Sequence, residues 1–495
     1  MAVRRPWELG TGTVNDLAVL MNILDEIATW KLEAKLEDID RYFYYVNEAK
    51  QVLSGQKAYV IGRKGTGKTA ISEFVCKARD HETFTEKLTF KNFPFKELYT
   101  LKNQSFNSPN QYITVWKYLI YSFVCRMLAR NESVPHDVRK KLDTIFTREP
   151  TASLSRTFSK WTSGEFGFSI LGSGLSVKLG SQPTTSDATI AERIDVLEEI
   201  IFKYANTSRY FVVFDELDED YRNILVQERN EEYFHLLTSL FKAAQDVRAT
   251  FPSPQFRIFP VIFLRDDIYD FIRDPDKNKW EDFKVALEWN KSKIQDLLAF
   301  RISRALNPTC EPLPYAQAWH LIMHDAPIHL RGSDASMPKF DYIARSTHLR
   351  LRDFIRFLQV CCEEELRTGN PKIGVETIKK ADMAFSNYLR NEIIDEVFAI
   401  IPEIDKVLDI FSQIRKQTLP QELFKQMYKQ RAAEENFQMK DPDFVLRILF
   451  HFSVIGNQPR QHNTMVYHYL NRDARLNKSE KIVVHRGLFK SLGIV

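Results

Sequence analysis

Residues 62–69 read Gly-Arg-Lys-Gly-Thr-Gly-Lys-Thr, and no other stretch constrains the fold as strongly. The apolar run Ala58-Tyr-Val-Ile61 precedes it and suits a buried strand. The segment AISEFVCKARD follows, with Ile71, Phe74 and Val75 at helical spacing. Strand, loop and helix thus arrive in the order that GxxxxGK[ST] requires. Glycines let successive backbone N–H groups curl around phosphate oxygens, and the helix start adds the positive end of its dipole. The pattern assigns Gly62, Arg63, Lys64, Gly65, Thr66, Gly67, Lys68, Thr69 and Ala70 to a nucleotide cradle. Lys68 is expected on the β- and γ-phosphates and the Thr69 hydroxyl on Mg²⁺. Glycine is scarce, 17 in 495 residues, so three at 62, 65 and 67 are hard to attribute to chance.

A phosphate cradle needs an acidic partner on a neighbouring strand. Tyr210-Phe-Val-Val-Phe214 reads as a buried strand and runs into Asp215 and Glu216. Asp215 is expected to hold Mg²⁺ and Glu216 to polarise the attacking water. The bland alternative, a buried strand ending in an acidic turn, weakens once a cradle precedes it. Arg257 to Leu264 reads as another buried strand ending in Arg265-Asp266-Asp267. The polar tip of that strand carries a γ-phosphate sensor in P-loop ATPases with an additional strand, which puts Arg265 there. The alternative pairs Arg265 with Asp266 or Asp270. Pro260 is awkward in a central strand, because it removes a ladder donor. Leu53-Ser-Gly-Gln56 precedes the cradle, whereas an ABC-transporter signature follows it. The guanine-reading NKxD is absent, since Asn290-Lys-Ser-Lys293 and Asn477-Lys-Ser-Glu480 lack the final Asp. The expected cofactors are therefore ATP and Mg²⁺.

Composition sets the class. Apolar residues make up 44% and charged residues 27%, which excludes wholesale disorder, a collagen-like fibre and a polytopic membrane protein. Net charge is 69 − 65 = +4, so a nucleic-acid surface would have to be local. Five scattered cysteines without a CxxC pair suit a reducing cytoplasm, and no signal-peptide pattern follows MAVRRPWELG. Tyr112 to Leu128 is broken by Lys117 and Arg126, so it reads as a buried helix and no membrane partner is expected. His320, His324 and Asp325 lack a third ligand of convincing spacing and are not read as a metal site.

The fold class expected is α/β: a parallel-sheet P-loop core, a helical lid and a C-terminal winged-helix-like domain. Residues 1–50 are a helical lead-in and 51–275 the core, with a glycine-rich hairpin inserted at 163–181. Residues 276–392 are the lid. In 393–495, three helices, around Val407–Phe411, Leu419–Tyr428 and from Pro442, precede two strand-like runs around a charged turn. From residue 460 onward, seven Lys or Arg face two acids, a local 7 − 2 = +5. Arg472, Arg475, Lys478 and Lys481 in that turn are candidates for nucleic acid or a protein partner.

Three motifs carry a resemblance. Ile61–Ala70, the Asp-Glu-Leu-Asp of 215–218 and Phe-Leu-Arg-Asp-Asp of 263–267 resemble the AAA+/STAND-type P-loop ATPases. The acidic box is most similar to that of origin-recognition and Cdc6-like ATPases. The run GRKGTGKTA resembles a group of bacterial ATPases found beside antiviral defence genes. The resemblance implies that Arg265 acts as sensor 1 and Arg352 as sensor 2 with Glu216, Lys68 and the metal. Arg350 is the alternative second sensor, and the glycine that opens the family's GxxR is missing here. It also implies self-association or assembly with a partner, with Arg273, Arg301 or Arg304 as a trans arginine finger. The function implied is an ATP-hydrolysing switch controlling a separate effector, since no nuclease or protease motif is present. The rivals are a DNA-transaction ATPase, of initiator or transposition-regulator type, and a non-hydrolysing nucleotide-binding scaffold.

Overall fold

Strands that are apolar on both faces need cover on both faces, and the chain supplies it by placing helices between them. The computed structural model describes residues 14–78, 80–89, 110–146, 190–218, 227–330, 335–459 and 464–494. The glycine-rich hairpin expected at 163–181 lies outside the described residues. The chain begins with α1 (Val14–Ala28) and α2 (Ile39–Tyr42), and α3 (Asn47–Leu53) leads into β1 (Tyr59–Gly62). α4 (Lys68–Lys77) precedes β2 (Thr83–Thr89). α5 (Ile113–Arg130), α6 (His136–Phe146) and α7 (Ile190–Tyr204) come before β3 (Arg209–Asp215). α8 (Gln227–Thr250), β4 (Arg257–Arg265), α9 (Asp266–Phe271) and β5 (Lys284–Ala286) complete the run.

The five strands form one sheet in the order β2-β3-β4-β1-β5, and every neighbouring pair is parallel. Tyr210 through Phe214 are fully buried, as a strand covered on both faces must be. Tyr112–Leu128 does become the buried helix that its sequence suggests. Trp116 on α5 donates Nε1–H to the Leu236 carbonyl at 2.9 Å, which ties α5 to α8. Pro260 sits in β4, the central strand of the sheet, without cost to the ladder. Ile262 donates to Ala58 on the β1 side, and the first β1–β4 pair is Tyr59–Ile262. Pro260 lies two residues earlier on that same side, before β1 begins, so its missing N–H has no acceptor to serve.

The chain divides into two units. The sheet unit comprises Tyr45–Lys64 and Lys68–Leu287. It extends past the expected edge at 275, because β5 pairs with β1 from Tyr59–Lys284 to Ile61–Ala286.

The other unit comprises 14–44, the loop tip 65–67 and 288–494 among the described residues. The lead-in expected at 1–50 therefore does not stand apart. Leu20, Ile23, Leu24 and Ile27 line one face of α1 and enter the same core as the later helices. After α10 (Lys291–Leu306) come α11 (Tyr315–Ile322), the short antiparallel pair β6 (Ile328–His329) and β7 (Ser336–Met337), and α12 (Lys339–Ala344). α13 (Leu351–Thr368) ends at Gly369, whose φ of 76° supplies the left-handed cap. α14 (Val375–Val397) runs straight through the boundary expected at 392, and Ile393 is in the core. No break in packing marks the start of a C-terminal domain there.

The C-terminal segment reads α15 (Ile404–Ile414), β8 (Thr418–Leu419), α16 (Gln421–Glu434), α17 (Pro442–His451), β9 (Ile455–Gln458) and β10 (Lys481–Val484). The strands are antiparallel in the order β8-β10-β9. The three expected helices are present, and Asp441 caps α17 by accepting from the Asp443 N–H. The hairpin differs from expectation. Its first strand is Ile455–Gln458, whereas the run at Met465–Tyr469 contributes one bridge, Val466 to Asn457. Ile455 and Gly456 are buried, and an inward-facing strand has no polar alternation to betray it. Among the described residues no helix is long and apolar enough to cross a membrane.

Arg350 is the largest buried charge in this unit. Its Nε lies 3.1 Å from both Asp353 carboxylate oxygens, and Nη1 lies 2.5 Å from Glu396. All three side chains are nearly inaccessible to water. Removing the guanidinium would strand two carboxylates in the core. Arg350→Met should therefore lower the stability of this unit by about 3–5 kcal/mol. Chemical denaturation monitors it, and an unchanged midpoint would refute the assignment.

Candidate nucleotide site

The loop between β1 and α4 is built by glycine geometry. Gly65 has φ of 80° and Gly67 φ of 97°, conformations that L side chains rarely adopt. The Lys68 ammonium folds back on the loop, donating to the Gly62 carbonyl at 2.8 Å and the Arg63 carbonyl at 2.9 Å. Burial holds its pKa below the ordinary lysine value, while Asp218 and Asp266 work in the opposite direction. Thr69 follows in the first turn of α4. Arg63, Lys64 and Ala70 are half-buried around the same loop.

β4 lies between β1 and β3, the additional-strand arrangement. Register then fixes the site. Gly62 is level with Arg265 across β1 and β4, and Phe214 is level with Ile262 across β3 and β4. The ends of all three strands reach one edge of the sheet. Asp215, the last residue of β3, is 3% exposed. One of its oxygens accepts from the Glu216 N–H at 3.0 Å. Glu216 has φ of 59°, in the left-handed region, a strained conformation for a side-chain-bearing residue. Such strain concentrates where a side chain must be aimed away from its strand.

Arg265 is held at the tip of β4 by Asp267, with Nε 3.0 Å from Oδ1 and Nη2 2.7 Å from Oδ2. Its Nη1 is 3.5 Å from Asp218. The alternative reading paired Arg265 with Asp266 or Asp270, and the bidentate partner is Asp267. Asp266 and Asp267 open α9, and only the side chain of Asp267 is buried against the strand tip.

In the other unit, the loop tip meets the start of α13. The Arg352 N–H donates to the Gly65 carbonyl at 3.2 Å, and Trp289 Nε1–H donates to the Thr66 carbonyl at 2.8 Å. The Arg352 guanidinium reaches Glu392 at 3.4 Å, and its Nε is buried without a hydrogen bond. Arg350, the alternative sensor, is committed to Asp353 and Glu396 as described above. The finger candidate Arg301 is corrected as well. It is buried, paired with Glu37, and stacked over Trp30 and Tyr42 at 4.4 and 4.7 Å. Arg304 bonds the Pro308 carbonyl, and Arg273 is exposed.

Sequence reading missed Lys87. This β2 residue places its ammonium 2.8 Å from Asp215 and 2.8 Å from Glu73. Burial alone would lower its pKa, but the two carboxylates reverse that and hold it above the ordinary lysine value. Glu73 lies four residues after Thr69, on the same face of α4. That spacing was a usable signal, but nothing in the sequence paired it with β2.

Within the sheet unit the donor set suits a nucleotide–metal pair: glycine backbone, a lysine, a threonine hydroxyl and a buried carboxylate. Mg²⁺ prefers such oxygen ligands and keeps several of its waters. At the C-terminus, Arg472 lies 3.0 Å from Glu288, while Arg475, Lys478 and Lys481 are exposed. His320 makes an exposed 2.9 Å contact with Asp325.

Residues 292–394 match a family described as a FunZ-associated C-terminal helical domain. No curated protein matches the chain. Among solved structures, the chain is similar to the Aeropyrum pernix ORC2 protein in its ADPNP–ADP complexes. Identity is 12%, coverage is 92% of this chain and 96% of that chain, and the TM-score is 0.39. The Aeropyrum pernix ORC1 protein in complex with DNA is similar at 12% identity, with 94% and 96% covered and a TM-score of 0.39. Cdc6p from Pyrobaculum aerophilum is similar at 12% identity, with 92% and 96% covered and a TM-score of 0.32.

Proposed function

We propose that the protein is an ATP-binding and ATP-hydrolysing switch of AAA+/STAND type that assembles with itself or a partner and controls a separate effector. The observation that carries this reading is the shared sheet edge. Parallel register brings the glycine loop, Asp215 with Glu216, and Arg265 to the same end of three adjacent strands. In this reading Gly62–Ala70 cradle the phosphates, and Lys68 leaves its two carbonyls to meet them. Thr69 and Asp215 hold Mg²⁺, and Glu216 orients and polarises water. Arg265 responds to the γ-phosphate, and Arg352 keeps the second-sensor role that the resemblance implies. Release of Arg265 from Asp267 would report occupancy to α9. A role in bacterial antiviral defence rests on the resemblance of GRKGTGKTA to ATPases of defence loci.

Lys68→Ala should weaken ATP binding roughly tenfold to a hundredfold, the worth of a charge-assisted contact. Glu216→Gln should keep ATP affinity and slow hydrolysis by about a hundredfold or more. Held in its ATP state, this variant should show a larger mass by light scattering than the ADP form. Calorimetry giving unchanged affinity in Lys68→Ala would overturn the cradle assignment. A monomeric mass in every nucleotide state, with and without partner, would overturn assembly.

A second reading, a DNA-transaction ATPase, is favoured by the basic C-terminal turn. In a winged helix the third helix enters the major groove. Here that position belongs to α17, most of whose residues are buried. Its N-terminal end carries Asp441 and Asp443, the latter paired with Lys425 at 3.0 Å. Acids at that end oppose a phosphate backbone, which favours protein docking over duplex binding. Changing Arg472, Arg475, Lys478 and Lys481 together to Ala should leave only small losses in low-salt DNA binding. A steep loss, with the salt slope reduced by about four, would instead establish the DNA reading.

A further inference from the structure

Lys87 has no role in the functional reading so far, yet its ammonium is held between two carboxylates, one of them Asp215. β2 and β3 run in register from Thr83–Arg209 to Thr89–Asp215. Lys87 is therefore level with Val213, and its side chain leaves β2 on the face that Asp215 shares, because residues two apart point the same way. On the facing helix, Glu73 is one turn beyond Thr69. The ammonium lies 2.8 Å from each carboxylate, with 14% of its side chain exposed. It thus contacts one of the two side chains, Asp215 and Thr69, that would hold a divalent cation.

We infer that Lys87 is a built-in counter-cation of Asp215, which Mg²⁺ must displace before nucleotide is held, so that occupancy of the site depends steeply on free Mg²⁺. This rests on the nucleotide reading given above and deepens it. The physical case is charge balance. Without a metal, Asp215 and Glu73 are two carboxylates in a poorly hydrated place, and one ammonium bridging them offsets the cost of burying both. A divalent cation on Asp215 brings two positive charges within a few ångströms of a third. The ammonium then has to give up Asp215, and Glu73 offers it a place to go. Lys87 is a positioning residue in this scheme. It acts through the carboxylate that the metal needs.

The scheme assigns opposite signs to two substitutions. Lys87→Met removes the competitor, so less Mg²⁺ should be needed. Glu73→Gln removes the ammonium's alternative partner and one negative charge, so more Mg²⁺ should be needed. The experiment uses the full chain, a fluorescent non-hydrolysable ATP analogue at fixed concentration, and a titration with MgCl₂ read by anisotropy. Lys87→Met should lower the half-saturating Mg²⁺ about tenfold, a modest share of the interaction between adjacent unit charges at an effective dielectric near 20. Lys87→Arg, which keeps the charge, should stay close to the parent protein. In an Asp215→Asn background the effect of Lys87→Met should vanish.

An equal or greater Mg²⁺ requirement in Lys87→Met would overturn the inference, as would a shift that survives Asp215→Asn. If Lys87→Met does not fold, Glu73→Gln decides, and an unchanged or lower requirement overturns the inference. Failure of the parent protein to bind the analogue at any Mg²⁺ concentration would remove the nucleotide reading, and the inference with it. Binding that needs Mg²⁺ but ignores Lys87 would remove the inference alone.

Discussion

The parallel register of β1, β3 and β4 is the constraint on which the candidate site depends. Parallel strands run in one direction, so their C-terminal ends all face the same edge of the sheet. Gly62 level with Arg265, and Phe214 level with Ile262, leave little freedom in where Asp215 can stand. A slip of one residue in β3 would turn Asp215 to the opposite face of the sheet. The unbroken apolar strands hold that register, because each is covered on both faces. The acidic and basic residues at their ends need only be placed one step beyond the apolar run.

Charge is managed differently in the two units. In the sheet unit, three cations are held on the partners that surround the candidate site. Lys68 rests on two backbone carbonyls, Arg265 on Asp267, and Lys87 on Asp215 and Glu73. Under the proposed function, each of these partners is one that a phosphate or a metal would replace. In the other unit two buried arginines are enclosed within the core. Arg350 is enclosed by Asp353 and Glu396, and Arg301 by Glu37 and two aromatic rings. Those arrangements orient helices.

Much of this was legible in the sequence. The glycine pattern named its own loop, since few other folds need GxxxxGK[ST] between an apolar run and a helix. The unbroken runs at 210–214 and 257–264 announced buried strands, and Tyr112–Leu128 a buried helix. The three helices of the C-terminal segment showed in their apolar spacing. Where the reading failed, the missing information was long-range. Arg350 and Arg352 lie two residues apart in one basic run. Only the positions of Glu396 and Gly65 show that the first is enclosed in the core and the second stands beside the loop tip.

The sequence by itself determined which residues could bind phosphate and which stretches had to be buried, because local pattern decides both. Tertiary structure alone decided the partners. It put β4 between β1 and β3, excused Pro260 by starting β1 beyond its level, and carried α14 across an expected boundary. It also set Lys87 against an acid 128 residues further along the chain, 2.8 Å away in space. Ion pairs of that separation leave no periodic trace, because their geometry is fixed by strand register and helix packing and not by neighbours in the chain.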